Sequence, residues 1–479
     1  MVSDCGAVSD LVTRQEFEDD PEKAVAMTAK AGTDLECETC GVDQFYYDKY
    51  LLNAYKKGYI TEEDIDENVK RIFRARFLLG EFDPPENVPF TKIPKEKLDS
   101  EEHRQLALEA ARESIVLLKN ARLPGQDNKI LPLDASSIKR VAVIGPNANK
   151  VELGGYSGTP SVSISPLDGI KTKLEGKAEV VFKQGCSILG KEYIGWDEEM
   201  NEGIYNILDE KKSIKDAAAL AATSDVAIVV LGTDLSVADE TADVADLNLP
   251  GNQLDLVQKV TMANKNTIVV LINGIALTTN WIDENVPAVV EAWYVGQAGG
   301  TAIADVLFGD YNPGGKLPVT FYKEVESLPH LGDYDITKGR TYWFNEAEVL
   351  YPFGHGLSYT TFAYENLTVE ENSLTTNAVD LKVSLDINNS GDVTGDEVVQ
   401  LYVRDIASSV IQPIKRLRAF ERVALDPGET RKVSFELRNE DFSYWDDTKK
   451  DWNIEAGEFE IMIGSSSEEI RLKASLTLD

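Results

Sequence analysis

The stretch VAIVVLGTDLSVADE, residues 226–240, joins an unbroken apolar run to a polar loop. Residues 226–231 show no alternation of polar and apolar side chains, and such a run is typical of a strand that is buried on both faces of a sheet. The loop that follows would lie at the carboxyl edge of that sheet, where ligands bind in open α/β folds. Glu240 is therefore a candidate functional residue.

The same pattern extends over the surrounding region. Further apolar runs lie at 141–144, 267–272 and 288–290. Helical patterns are predicted at 100–120, 213–222 and 254–263. This alternation predicts that residues 99–325 form an α/β domain with a mostly parallel sheet.

From about residue 365 the apolar period changes to two. Apolar and polar residues alternate in 381–387, 399–403, 433–437 and 459–463. Short alternating strands of this kind, with turns such as 426–428 between them, are typical of an antiparallel β-sandwich. The sequence therefore predicts a sandwich over 365–479, with 326–364 as a connecting segment.

The first residues also show strand and helix signals. An apolar lead-in ends at Asp4, which is followed by Cys and Gly, and this reads as the tip of a strand. A helix is predicted over 21–31 and a second strand tip at 32–35. Asp4 is a second candidate carboxylate because function concentrates at such tips in parallel folds.

A long helix is predicted next. Thr61 and Asp64 have the spacing of a capping box, the apolar residues of 65–77 fall on one helical face, and Gly80 ends the pattern. The Pro-containing stretch 81–98 is predicted to be a linker.

Charge and composition exclude several classes of partner. The chain has 82 acidic and 48 basic residues and a net charge of −34, which argues against nucleic acid or an anionic membrane as partner. No stretch reaches the roughly 20 apolar residues of a membrane helix, and no signal peptide is visible.

Cysteine and histidine are too sparse for a metal site of common type. Cys37 and Cys40 form a CxxC pair, but no second pair accompanies them, and the chain has three His in all. The Gly-rich stretches 145–148 and 154–158 lack the spacing of a phosphate-binding loop. We therefore expect no metal and no nucleotide.

Segments along the whole chain resemble glycoside hydrolase family 3. VSDCGAV (2–8) resembles the nucleophile segment of that family. The other segments that carry the resemblance are AGTDLEC (31–37), EEDIDENVKRIFRARFLLGEFDPP (62–85), LALEAARESIVLLKN (106–120), VAVIGPNA (141–148), LNLPGNQ (247–253), GQAGGTAIADVLFGDYNPGGKLPVTF (296–321) and YPFGHGLSYTTF (351–362).

The resemblance implies a fold of three parts: a (β/α)₈ barrel, an α/β sandwich and a fibronectin type III-like β-sandwich. Residues 1–80 are then expected to be the C-terminal remnant of the barrel, its last two βα units, with Asp4 at the end of the seventh strand. The earlier units are expected to have no counterpart in this chain. We expect the remnant to expose strand edges and apolar surface, and to be the least stable region.

The resemblance also implies a retaining mechanism without a cofactor. Asp4 would be the nucleophile, and Glu240 would be the acid/base. In many relatives Asp-Arg follows the acid/base at three and four positions on, whereas here Asp243 is present and Val244 replaces the Arg. Asp234 and Asp239 therefore remain competitors for the acid/base role.

Two cysteines bear on the substrate in the same way. Family members that act on xylosides carry Cys after the nucleophile, which matches Cys5, and a second Cys at the next strand tip, which matches Cys37. These two could form a disulfide or remain free thiols, and either arrangement favours a xyloside or arabinoside over a glucoside. Three tryptophans that could stack on sugars, Trp196, Trp293 and Trp343, are assigned to the core.

The expected function is that of a retaining, exo-acting glycosidase that releases β-linked xylose, arabinose or glucose from an oligosaccharide or an aryl or alkyl glycoside. As an isolated chain it is expected to be inactive, and a second chain or self-association would complete the barrel. The alternative is a non-catalytic remnant that acts as a scaffold or binds carbohydrate.

Overall fold

The computed structural model describes residues 1–37, 45–190, 192–197, 202–206, 208–240 and 244–479. The chain divides into two compact units, Met1–Leu98 and Asp99–Asp479. Each unit has buried apolar residues of its own. Cys40 and Asp243, both singled out in the sequence, lie outside the described residues, as does the side chain of Trp196.

The first unit contains a parallel strand pair with helices around it. The strands are β1 (Val2–Cys5) and β2 (Leu35–Cys37), and the helices are α1 (Ala7–Thr13), α2 (Pro21–Lys30), α3 (Leu52–Lys56) and α4 (Glu62–Leu78). Val2 pairs with Leu35, and Cys5 pairs with Cys37. Helices α1 and α2 thus form the crossover between the two strands.

Helix α4 begins as its sequence predicts. The Thr61 side chain accepts a hydrogen bond from the Asp64 backbone N–H, and the Asp64 carboxylate accepts one from the Thr61 backbone N–H, so the capping box is formed. Gly80 follows the helix with φ +75°, a conformation that favours glycine.

The apolar face of α4 is only partly covered. Phe73 stacks on Phe82, yet Phe77 keeps 63% of its surface exposed. In the strand pair, Val2 and Leu35 are 59% and 51% exposed. The first unit therefore presents apolar surface on both its helix and its strands.

The second unit begins with helices that alternate with strands. The helices are α5 (Glu101–Ser114), α6 (Pro166–Lys173), α7 (Glu210–Ala222), α8 (Gln253–Ala263), α9 (Asn280–Asn285) and α10 (Gly299–Leu307). The strands are β3 (Val116–Asn120), β4 (Arg140–Ile144), β5 (Glu179–Lys183), β6 (Glu192–Asp197), β7 (Glu202–Asn206), β8 (Val226–Gly232), β9 (Thr267–Ile272) and β10 (Ala288–Glu291).

These strands build a six-stranded sheet in the order β3-β10-β9-β8-β4-β5. β3 runs antiparallel to β10, and the other neighbours are parallel. β6 and β7 form a separate antiparallel pair. The prediction of a mostly parallel sheet is thus confirmed.

Both faces of this sheet are covered by helices. In β8, Ile228 and Val230 pack into the core on the side of α6 and α10, whereas Val229 and Leu231 pack into the core on the side of α7 and α8. Every residue of β8 is buried. Burial on two sides explains why the run 226–231 has no polar alternation.

The predicted helix over 100–120 is wrong in its last part. Helix α5 ends at Ser114, Ile115 has extended backbone angles, and β3 follows directly. The apolar and β-branched residues at the start of β3 favour a strand, and pairing with β10 gives them a buried place in the sheet.

The rest of the second unit is mainly antiparallel. Short elements come first, namely β11 (Phe321–Tyr322), α11 (Thr341–Phe344) and β12 (Val349–Tyr351). They are followed by β13 (Phe362–Thr375), β14 (Ala378–Asn389), β15 (Gly395–Asp405), β16 (Arg416–Leu425), β17 (Thr430–Arg438), α12 (Asn439–Phe442), β18 (Tyr444–Asp446), β19 (Asp451–Asn453), β20 (Gly457–Gly464) and β21 (Ile470–Leu478).

Two sheets form the predicted sandwich. One has the order β13-β14-β17 and the other β16-β15-β20-β21. The apolar residues of the alternating stretches, for example Leu381, Val383, Leu401 and Ile461, are buried in one shared core. The period of two therefore predicted both the sandwich and its inward faces.

Candidate active site

Asp4 lies at the exposed carboxyl tip of β1. Its Oδ1 accepts a hydrogen bond of 2.8 Å from the backbone N–H of Cys5. The chain then turns at Gly6, whose φ of 79° favours glycine and whose N–H donates to the Cys37 carbonyl at 2.9 Å. The tip of β1 is thus tied to the tip of β2, with the carboxylate on the solvent side.

Cys5 and Cys37 form a disulfide across these two tips. The parallel register brings their Cα atoms to 4.4 Å, within the span that a disulfide bridges. Of the two arrangements that the sequence left open, the structure contains the disulfide. The bridge lies next to Asp4 in the chain.

Polar residues of β2 and the turn before it hold this edge in place. Arg71 Nε of α4 donates to Asp34 Oδ1 at 2.8 Å, and this hydrogen bond lowers the pKa of the buried Asp34 carboxyl. The Glu36 carboxylate accepts from the backbone N–H groups of Tyr46 and Tyr47 at 3.0 and 2.7 Å. These positioning residues were not predicted, although Asp34 and Glu36 flank the predicted strand tip.

In the second unit, the loop that carries Glu240 is anchored where it leaves β8. The buried side chain of Gln253 accepts from the Gly232 N–H and donates to the Gly232 carbonyl, both at 2.8 Å. A Cβ at Gly232 would lie 1.8 Å from the Ile272 carbonyl oxygen, so only glycine fits there. Gln253 is the last residue of the LNLPGNQ motif, but its role was not predicted.

Neighbouring strand ends hold the next two residues of the loop. Asn147 Nδ2 donates to the Thr233 carbonyl at 2.9 Å, and the hydroxyls of Thr233 and Tyr294 lie 2.7 Å apart. Lys150 Nζ lies 3.8 Å from Asp234 Oδ2. The base of the loop is therefore fixed by residues that follow β4, β8 and β10.

Glu240 lies at the far, exposed end of the same loop. Its Oε2 accepts a hydrogen bond from the Tyr156 hydroxyl, and its backbone N–H donates to Asp239 Oδ1 at 2.9 Å. Asp234 accepts from the Ser236 N–H at 3.0 Å and so stabilises the turn. Of the three candidate carboxylates, Asp234 lies near the anchored base, whereas Asp239 and Glu240 lie on the exposed part.

A cavity of about 480 Å³ opens beside this loop. Its lining includes Thr233, Ser236, Val237, Val244 and Asn248. Val244, four positions after Glu240 in the chain, thus gives the cavity an apolar side.

Two further acids at this edge of the sheet, Glu152 and Glu291, have raised pKa values. Burial raises the pKa of Glu152 to about 6, against the lowering effect of the Lys150 charge and with a small contribution from the nearby Asp234. Burial also raises the pKa of Glu291 to about 8, although its carboxylate accepts from the Trp293 N–H at 2.9 Å and from Asn273 Nδ2 at 3.1 Å. Neither acid was predicted from the sequence.

Asp4 and Glu240 thus lie in different units, each at the carboxyl end of a strand or in the loop after one. Each is exposed, and the carboxylate of each accepts a hydrogen bond from within its own unit. Within the described ranges, no group of three or more His, Cys, Asp or Glu side chains could hold a metal ion. In the same ranges, no helix is long and apolar enough to cross a bilayer.

Comparison with protein families matches both parts of the second unit. Residues 115–359 match the glycosyl hydrolase family 3 C-terminal domain. Residues 397–467 match a fibronectin type III-like domain. The first match spans the six-stranded sheet, and the second lies within the sandwich.

Individual relatives match the chain over its whole length. A β-xylosidase of Formosa agariphila is 38% identical, and the alignment covers 100% of this chain and 64% of that protein. The thermostable β-glucosidase B of Acetivibrio thermocellus is 36% identical, with coverage of 100% and 58%. Among solved structures, a β-glucosidase from Erythrobacter marinus has a TM-score of 0.82 at 37% identity and covers 100% of this chain and 63% of that one. The chain therefore spans less than two thirds of the length of these three proteins.

Proposed function

Because the chain belongs to glycoside hydrolase family 3, we propose that it carries the catalytic carboxylates of a retaining, exo-acting glycosidase. The substrate would be an oligosaccharide or an aryl or alkyl glycoside with β-linked xylose, arabinose or glucose at its non-reducing end. The observation that carries the proposal is the match to a β-xylosidase over the whole chain, because it includes Asp4 as well as the Glu240 loop.

In the first step, Asp4 attacks the anomeric carbon. A bond forms between a carboxylate oxygen and C1 while the bond from C1 to the leaving oxygen breaks, and Glu240 gives its proton to that oxygen. The hydrogen bond from the Cys5 N–H to Oδ1 supports this role because it orients the carboxylate.

In the second step, Glu240 takes a proton from water, and the water oxygen bonds to C1 as Asp4 leaves. The sugar is released with its original configuration. Retention requires the two carboxyl groups to lie about 5–5.5 Å apart. The active complex must therefore bring the carboxyl groups of Asp4 and Glu240 to that separation.

We further propose that the sugar bound beside Asp4 is xylose or arabinose in preference to glucose. The Cys5–Cys37 disulfide lies at the strand tips next to the carboxylate. It would crowd the space that the hydroxymethyl group of a glucoside needs, a group that xylose lacks. The position of Cys5 and Cys37 in the chain is the support for this assignment.

Residues 1–80 are proposed to be two βα units of a barrel. The parallel pairing of β1 with β2 through a helical crossover supports this, as does the exposure of Val2 and Leu35. Further strands, supplied by a second chain or by self-association, would cover this surface and complete the sugar site. The chain alone would then be inactive.

The test is hydrolysis of aryl β-D-xylosides by the chain alone and after mixing with the portion of the Formosa β-xylosidase that the chain does not match. We expect activity in the mixture, and a loss of about 10³-fold when Asp4→Asn is used. The aryl β-D-glucoside should react more slowly. Activity of the chain alone, lost in Asp4→Asn, would contradict the need for further strands.

A substrate with a better leaving group distinguishes the nucleophile role of Asp4 from the acid/base role of Glu240. A 2,4-dinitrophenyl leaving group departs as the phenolate and needs no proton, so Glu240→Gln in the mixture should release about one equivalent of 2,4-dinitrophenolate in a burst and then turn over slowly. Asp4→Asn should give no burst. Steady turnover by Glu240→Gln equal to wild type would move the acid/base role to Asp234 or Asp239. If no mixture and no variant hydrolyses any of these glycosides, the chain is a non-catalytic member of the family.

A further inference from the structure

A second cavity, of about 700 Å³, lies on the sandwich and α11. It shares no lining residue with the cavity beside the Glu240 loop. Its lining includes Trp343, Trp452, Arg416, Arg418, Asn377 and Asn439. We call it the arginine–tryptophan cavity.

Arg418 is placed in the arginine–tryptophan cavity by a β-bulge. Ala419 pairs with Leu401 and Leu417 pairs with Tyr402, so Arg418 is an extra residue without a partner on β15. Bulges of this kind redirect a side chain and are frequent beside binding sites. Here the bulge places Arg418 in the same cavity as Arg416.

Among the described residues, the two guanidinium groups have no carboxylate partner. Nε and Nη2 of Arg418 are buried without a hydrogen-bond partner among the described residues. Arg416 donates to the Ser443 carbonyl at 3.0 Å, and burial lowers its pKa to about 10. Asp405 and Asp441 are close enough to influence these charges, yet neither forms an ion pair with them. In a chain of net charge −34, two neighbouring arginines that form no ion pair with a described residue are unusual, and their charges attract anions.

Aromatic and amide side chains form the rest of the cavity. Trp452 is 65% exposed, and its ring lies edge-on to Trp445 with centroids 5.9 Å apart. Trp343, assigned to the core from the sequence, is only half-buried and lines the same cavity. An exposed indole face offers an apolar platform, and the amides of Asn377 and Asn439 can both donate to and accept from hydroxyls.

We propose that the arginine–tryptophan cavity binds a uronic acid residue of an acidic oligo- or polysaccharide. The carboxylate would lie against Arg416 and Arg418, and the sugar ring would stack on a tryptophan. A guanidinium recognises a planar carboxylate through two parallel, charge-assisted hydrogen bonds, and a neutral sugar has no charged group to accept them. The exposed Glu440 at the lining would accept from ring hydroxyls and would disfavour ligands of higher negative charge. An acidic peptide would use the arginines but not the indole platform.

The proposal rests on the proposed function only in expecting a polysaccharide near this chain, and its test is independent of hydrolysis. Binding would be measured by calorimetry on the full chain carrying Asp4→Asn. The probes are xylotriose with one glucuronosyl branch, unbranched xylotriose and a tetraglutamate peptide. We expect the branched acid to bind at least tenfold more tightly than either control, and more weakly as salt is raised.

Variants locate the site. Arg418→Gln should weaken binding of the branched acid at least tenfold, whereas Arg404→Gln, at an exposed arginine of β15, should leave it unchanged. Trp452→Ala changes an exposed side chain and should also weaken binding, which gives a second readout if Arg418→Gln lowers the unfolding temperature. Equal affinity for acidic and neutral xylotriose, or for the peptide, would overturn the proposal. Binding of the branched acid, together with failure of the wild-type mixture to hydrolyse any of the aryl glycosides, would contradict the proposed function and leave this inference standing.

Discussion

At the scale of single residues, Glu291 is held neutral by its surroundings. It is fully buried at the end of β10, and burial raises the pKa of its carboxyl from 4.5 to about 8. For an acid whose pKa is higher in the folded than in the unfolded protein, the contribution to stability is fully present when the pH is below the pKa of the unfolded state. It is lost as the pH rises through the pKa of the folded state. Between about pH 4.5 and 8, the free energy of unfolding should therefore fall.

We predict that Glu291→Gln flattens this dependence. Glutamine keeps an acceptor for the Trp293 N–H but cannot ionise, so its stability relative to wild type should grow from pH 5 to pH 8 by an amount on the order of a few kcal/mol. Thermal unfolding at several pH values measures the difference. Glu284→Gln, at an exposed residue of α9, is the control. Parallel curves for wild type and Glu291→Gln would contradict the prediction.

For single residues, the sequence predicts the place in a strand or loop better than it predicts burial and hydrogen-bond partners. Asp4 and Glu240 could be singled out because a strand tip and a loop after a buried strand are visible in the pattern, while their catalytic roles remain predictions. Glu291 and Gln253 could not, since a buried polar side chain depends on partners from other strands that no local pattern shows. The Cys5–Cys37 spacing allowed a bridge, but only the register of β1 and β2 brings the two Cα atoms together.

At the scale of elements, the loop after β8 depends on Gln253 in α8. Its side chain forms two hydrogen bonds to the backbone of Gly232, in a buried setting. We predict that Gln253→Leu lowers the free energy of unfolding by roughly 2–4 kcal/mol, because a buried N–H and a buried carbonyl lose their partners. In the active mixture it should also lower kcat, since the Glu240 loop loses its anchor.

Differential scanning calorimetry and xyloside kinetics would measure these two effects. Gln126→Leu, at an exposed residue, makes the same chemical change without the buried contacts. An unfolding temperature of Gln253→Leu equal to that of the control would show that the anchor contributes no stability.

Helices and strands were predictable where a local sequence pattern alone determines their ends or their buried face. The capping box and Gly80 predicted both ends of α4, and the period of two predicted the inward faces of the sandwich strands. The boundary at Ser114 was missed because the residues of 106–120 also fit a helical pattern, and only pairing with β10 makes 116–120 a strand. The change of element there is a tertiary effect that local propensity does not determine.

At the scale of the whole molecule, the two units differ in how much apolar surface they bury. The core of the first unit contains few buried side chains, most of them small, such as Val8, Val25 and Ala54, with Ile60 the largest. The second unit has two large cores around its sheet and a third in the sandwich. Since buried apolar area is the main source of stability, we expect the first unit to unfold first.

Limited proteolysis would test this difference. The segment between Gly80 and Ser100 is largely exposed and contains Lys92, Lys95 and Lys97. We predict that trypsin first cuts in this segment or within Met1–Leu98. A fragment close to Asp99–Asp479 should resist further digestion, because cleavage needs local unfolding and its three cores make such unfolding rare. Mass spectrometry identifies the fragments over time. Adding the portion of the Formosa β-xylosidase that the chain does not match should slow cleavage of the first unit if further strands cover Val2 and Leu35, whereas an added unrelated protein of equal mass should not. Early cuts inside Asp99–Asp479, with Met1–Leu98 intact, would show that the order of stability is the reverse.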